Sequence, residues 1–325
     1  MKIELLQEAG EQYDELGWRI KETAEKVIPV VKSTTGLPLP HRPVMRLVTK
    51  EAWSAEYTAF QIGVWNRGRG KANESLDHAN FVKVRQALTD RLGKILEEWH
   101  LRFAQCIETP MLQPELLILP ESLHRAGADQ DSGRLSQMLA HEITHLAQYW
   151  ASEGRSFDFF HSHFREVLNI DGMIDFSLLL EGHASWAQYQ VTRELLGSEA
   201  DRVTGEMPAY ICQSASSSEY ERTRARSAYT ARRDFVEYVI TEVGTHGFNA
   251  LWKHSALYPL DRELRLPNLY LLRVEEIFDL RSGRFIPTEA ETEERINRRT
   301  RINDVDLSRL SGAKRYMDKP GSTNI

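Results

Sequence analysis

Two histidines and a glutamate stand at a chemically useful spacing, His141-Glu142-Ile143-Thr144-His145. On a helix, residues four apart lie on one face, about one turn from each other. Their imidazoles can then hold one metal ion together. Glu142 sits one position along and points beside that ion. It can polarise a water held there and shuttle its proton. Leu135, Leu139, Ile143 and Leu146 recur at helical spacing around the motif and can bury another face. With 11 His in the chain, a chance match arises on the order of once per hundred such sequences. A match inside an amphipathic helix is rarer still.

A catalytic zinc usually keeps three protein ligands and one open position. Glu181 is the candidate third ligand, in Leu178-Leu179-Leu180-Glu181-Gly182-His183-Ala184-Ser185. A carboxylate amid so apolar a helix is costly to bury unpaired. A metal ion or a buried arginine would relieve that cost. Gly182 and Ala184 are small enough to let this helix approach another closely. The chain holds only two cysteines, Cys106 and Cys212, too few for a thiolate zinc site or a disulfide framework. A two-His, one-Glu set leaves a position open, which suits a catalytic ion better than a closed structural one.

The remaining composition narrows the class. Lys plus Arg is 41 against 47 for Asp plus Glu, a net charge of −6, which disfavours a nucleic-acid binder. No run of about 18 apolar residues occurs, so no membrane span is expected. The N-terminus lacks the apolar core of a secretory signal. A cytoplasmic protein with free thiols is the expectation.

The elements that must position the motif follow from periodicity. A first helix is expected over residues 3–28, closed by Pro29. A strand is expected at 44–48 and a helix at 50–64. Residues 66–71 read as a basic surface loop. Helical periodicity then runs through 76–107. Residues 115–119, apolar and next to Pro114, read as a strand. A turn at 129–133 supplies N-cap residues for a helix over 133–151. Further helices are expected at 172–196, ended by Gly197, and at 221–243. After about residue 289 the chain becomes charged and rich in small polar residues, as a flexible tail would be. This is an α+β pattern, predominantly helical.

HExxH followed by a second helix bearing Glu-Gly-His-Ala resembles the gluzincin clan of zinc metallopeptidases. It is most similar to small bacterial zincin-like hydrolases in which Glu-Gly-x-Ala supplies the third ligand. The resemblance implies a thermolysin-like zincin core with a small N-terminal sheet and a helical C-terminal lobe. Residues 1–40 would be an N-terminal helix and linker, and 41–290 the catalytic domain. Its upper lobe would span about 41–152 and its lower helical lobe about 170–290, with 291–325 as the tail. The resemblance also implies one Zn²⁺ per chain, held by His141, His145 and Glu181. Glu142 would be the general base in hydrolysis of a peptide or small amide.

Many gluzincins place Asp four residues after the ligand Glu, where it orients a zinc-bound His. Here that residue is Ser185. Loss of such a partner costs about 10–100-fold in affinity or activity. Three alternatives follow: Ser185 serves more weakly, Asp175 substitutes, or the site is less active. The family also supplies an oxyanion donor from its second lobe. Tyr210, Tyr229, Tyr238 and His246 are candidates. Tyr229 is favoured because it opens the stretch 229–251, which resembles a C-terminal helix of these enzymes. His161 and His163 suit exposed loop positions or the cleft wall. His183 lies about 200° from Glu181 on a helical wheel and reads as a packed core histidine. The arginines of 222–233 suit a solvated face or a grip on a substrate carboxylate. Two rivals stand beside the peptidase: a metal-holding regulatory protein without turnover, and a zinc hydrolase of a small-molecule amide or ester.

Overall fold

The first helix is shorter at its start and longer at its end than periodicity alone predicts. In the computed structural model, which describes residues 2–75, 78–157, 176–200, 219–254, 257–280 and 284–285, strand β1 occupies Glu4–Gln7 and helix α1 runs Asp14–Thr35. Pro29 lies inside α1 rather than closing it. An interior proline costs about 3 kcal/mol. Burial of Ile20, Ala24, Val27, Ile28 and Val31 along one face offsets that cost. The helix ends at Gly36, whose φ of 63° turns its N–H back onto the Lys32 carbonyl.

Strand β2 spans Val44–Leu47, β3 Ala104–Glu108 and β4 Pro114–Ile118. They join β1 in a mixed sheet of order β1-β2-β4-β3. β1, β2 and β4 are parallel, and β3 runs antiparallel to β4 with Cys106 opposite Leu116. The helical periodicity over 76–107, which allowed one long helix or two, therefore overruns into a strand. Helix α3 covers His78–Glu97, a short 3-10 turn follows at Trp99–Leu101, and Ile107 belongs to β3. A short apolar run satisfies helix and strand alike until a partner strand is available. Helix α2, Lys50–Ser75, also continues through the segment read as a loop.

The sheet separates two packed layers. Met45, Leu47, Leu116 and Ile118 share a core with α1 and with α5, Ser132–Ala151. Val48, Leu117 and Leu119 share another with Trp53, Tyr57, Phe60 and Val64 of α2. Between them in sequence lies the short helix α4, Pro120–Arg125. A third core joins α6, Phe176–Leu196, to α7, Glu219–Asn249, and to α9, Pro267–Ile277, which follows α8, Asp261–Arg265. The chain closes its described part with a β5–β6 ladder, Phe278–Asp279 against Arg284–Phe285. The described protein is thus mostly helical with a small mixed sheet, an α+β architecture. Among the described residues no helix is long and apolar enough to cross a membrane.

Candidate metal centre

Helix α5 begins where the turn chemistry predicts. Asp131 Oδ1 accepts the N–H groups of Gly133 and Arg134 at 2.9 and 3.1 Å, which satisfies two otherwise orphaned donors. Leu135, Leu139 and Ile143 then bury one face against the sheet. The opposite side turns His141 and His145 toward α6. There Leu179, Leu180, Ala184 and Ala187 are buried and Glu181 faces back. Gly182 permits a close approach of α6 to a third helix, α7: a Cβ there would stand 2.8 Å from the Arg232 carbonyl oxygen. The C-terminal end of α6 is marked by Gly197, with φ 56°.

The histidine rings lie 4.8 Å apart at 82°, with 3.1 Å between their Nε2 atoms. Glu181 Oε2 is 3.3 Å from His141 Nε2, and Oε1 is 3.7 Å from His145 Nε2. One ligand atom from each of the three lies within 4.8 Å of the others. Two imidazole nitrogens and a carboxylate converging this closely are a donor set that could hold a metal ion.

Each imidazole is oriented from behind by an amide oxygen. His141 Nδ1 meets Gln188 Oε1 at 3.0 Å, and His145 Nδ1 meets Gln148 Oε1 at 2.8 Å. An amide oxygen only accepts, so both Nδ1 atoms donate; in the neutral rings both Nε2 lone pairs then face the shared point, while a protonated His141 donates its Nε2–H to Glu181 instead. Burial works to raise the Glu181 carboxyl. The His141 hydrogen bond and the charges of His145, His141 and Arg232 outweigh it and hold the group at about 2. Glu181 is thus a carboxylate at any ordinary pH. For His141, burial favours the neutral ring, yet the Glu181 hydrogen bond and charge and the Glu142 charge push its pKa up.

Glu142 Oε2 accepts the backbone N–H of Cys106 at 3.0 Å. The edge strand β3 thereby holds the carboxylate beside the two histidines. The Cys106 amide carries no sequence signal, since almost any residue there supplies the same N–H. The two glutamines were legible in principle. Gln148 lies three residues after His145, and Gln188 lies seven after Glu181 on the same face of its helix.

Ser185 does not take the place of the missing Asp. Its hydroxyl donates to the Glu181 backbone carbonyl at 2.6 Å, and Gln188 orients His141 instead. His183 is fully buried and stacked on Trp186 and Phe248. Burial, then the charge of nearby His145, hold its imidazole down at about 3, so it is a neutral core ring as expected. Tyr238 and His246 are exposed. Tyr229 lies in α7 with its side chain outside the described set, and Asp175, His161, His163 and Tyr210 fall outside the described residues. Of the arginine stretch, Arg233 pairs with Asp234 at 3.1 Å and lies over the Tyr189 ring, as a helix surface residue would.

No protein-family model matches the chain, and no curated protein matches its sequence. A solved structure from Chloroflexus aurantiacus, described as "a putative hydrolase with a novel fold", is similar to it. The likeness covers 79% of this chain and 89% of that one, with a TM-score of 0.54 and 15% identity. At that identity the two share a fold.

Proposed function

We propose that the chain is a zinc-dependent hydrolase of gluzincin type that cleaves amide bonds, with peptides as the first substrate class. The observation that carries this reading is the convergence of His141, His145 and Glu181 on one point, with Glu142 anchored beside them. The hydrolase description of the structural neighbour agrees in kind. Two imidazoles and one carboxylate suit zinc among the common divalent ions. When bound, the ion supplies Lewis acidity, which polarises a carbonyl and acidifies water.

The chain's own residues do the rest. Glu142 takes a proton from the attacking water and returns it to the leaving nitrogen. The Cys106 N–H keeps the acting carboxylate in place for both transfers. Gln188 and Gln148 hold the ligand rings so that little reorganisation is needed when substrate arrives.

Glu142→Gln should keep one equivalent of zinc and lose turnover by about 10²–10⁴-fold, the usual worth of a general base. Glu181→Ala should lose the zinc, measured by metal analysis of the purified protein. Unchanged peptide turnover in Glu142→Gln would refute the mechanism. A second reading, a metal-holding protein with weak or no turnover, draws support from the neutral amides behind both histidines. A carboxylate there would raise ligand basicity further. Zinc-loaded wild type that cleaves no member of a broad peptide library would favour this second reading.

A further inference from the structure

Gln148 is fully buried, and every polar atom of its amide is engaged. Oε1 faces His145 Nδ1 at 2.8 Å. Nε2 lies 3.0 Å from the Leu180 carbonyl oxygen and 3.1 Å from His183 Nδ1. The Leu180 carbonyl makes the assignment unique. A carbonyl can only accept, so the amide NH₂ must face it and the amide oxygen must face His145. The reversed amide would set two carbonyl oxygens against each other in a buried site, at the full cost of an unmade hydrogen bond. It follows that His145 carries its proton on Nδ1. The second N–H of the amide needs a lone pair, which His183 Nδ1 supplies from a ring wedged against Trp186, Phe248 and Trp252.

The anchors are placed to matter. Leu180 immediately precedes Glu181 and His183 follows it by two residues, all on α6. Gln148 itself rides on α5, one turn beyond His145. One side chain therefore orients a histidine of α5 and grips the backbone that carries the carboxylate of α6.

We propose that Gln148 is the positioning residue of this site: locked by the Leu180 carbonyl and His183, it sets the tautomer of His145 and ties the two donor-bearing helices in register. The consequence for metal affinity rests on the zinc reading given above. The tautomer does not.

The test compares wild type, Gln148→Met, which keeps shape and loses every hydrogen bond, and Gln148→Glu, which still accepts from His145 but cannot donate to Leu180. Long-range ¹H–¹⁵N spectra of histidine side chains are recorded without metal at about pH 8.5, above the ordinary imidazole range. Zinc affinity is measured separately by chelator competition. Wild type should show His145 in a single Nδ1–H form. Gln148→Met should show a mixture with the Nε2–H form and bind zinc about 10–100-fold more weakly. Gln148→Glu should keep the Nδ1–H form. A wild-type His145 protonated on Nε2 overturns the proposal, and so does an unchanged tautomer in Gln148→Met. Wild type that takes up no zinc overturns the metal reading instead, while the metal-free spectra still decide the role of Gln148.

Discussion

Gly182 follows Glu181 at a close approach of α6 to α7, so Gly182→Ala is the sharpest packing test of the site. A Cβ there would lie 2.8 Å from the Arg232 carbonyl oxygen, 3.0 Å from its carbonyl carbon and 3.2 Å from its Cβ. Ordinary contact starts at 3.4 Å. The obstacle is backbone, which cannot swing aside as a side chain would, so α6 and α7 must part by about 0.6 Å. Two terms then compete. Alanine in a helix interior gains about 1 kcal/mol over glycine. Forcing a methyl group into a filled contact costs about 1–3 kcal/mol, and a backbone obstacle places this case at the upper end. The net loss is about 1–2 kcal/mol, or a fall in Tm of about 1.5–3 °C for a chain of this length. Gly93→Ala in α3 is the matched control, because a Cβ there meets nothing within 4 Å. It should stabilise by up to about 1 kcal/mol. On the zinc reading proposed above, Gly182→Ala should also weaken zinc binding in a chelator competition, because Glu181 is the adjacent residue. Thermal unfolding of both variants decides the matter. If Gly182→Ala melts at or above wild type, the close approach does not constrain the helices and the reasoning fails.

Other outcomes follow from the same geometry. Tyr149→Phe removes a hydroxyl that lies 2.7 Å from Glu108 Oε2 and 3.0 Å from the Leu112 carbonyl. With Glu108 only 6% exposed, urea unfolding should show a loss of about 1–3 kcal/mol. Arg46 meets Glu8, Glu56 and Glu115 at 2.8, 3.1 and 3.4 Å, so Arg46→Met leaves three carboxylates facing one another. Burial already raises the Glu115 pKa against the pull of Arg46. The folded state therefore binds that proton more tightly than the unfolded one, a contribution present at low pH and lost as pH rises through the folded value. Without Arg46 the upward shift grows. The penalty should thus be largest near pH 7 and shrink toward about pH 4–5; a penalty that grows on acidification would contradict this. Cys106 is 2% exposed, and burial, then the Glu142 charge, push its thiol well above the ordinary range. Peptide mapping should find it unalkylated in the native protein and alkylated after denaturation.

The helices that carry the donors were legible because their signals are local. Asp131 caps α5 through its own neighbours, the apolar residues of α5 recur with helical period, and Gly197 closes α6. The errors arose where local signals conflict with distant ones. Residues 104–108 satisfy helical periodicity but become β3 because β4 offers a ladder. Residues 4–7 join the preceding reach of chain to β2 rather than starting a helix. Pro29 is tolerated because the burial around it outweighs one lost hydrogen bond.

The same division holds at the site. HExxH needs only the pitch of a helix to bring His141 and His145 to one face, so the sequence by itself was enough to pair them and to set Glu142 beside them. A carboxylate in an apolar helix was enough to single out Glu181. Whether that carboxylate reaches the histidines depends on how α6 packs on α5 and on α7, where Gly182 lies against Arg232, and no local pattern contains those distances. The partners behind the rings were likewise decided by tertiary structure. Ser185 turns onto its own helix backbone, while Gln188 and Gln148 face the imidazoles and a backbone amide of β3 holds Glu142. A hydrogen bond across elements depends on where two backbones come to rest, and only the packed structure sets that.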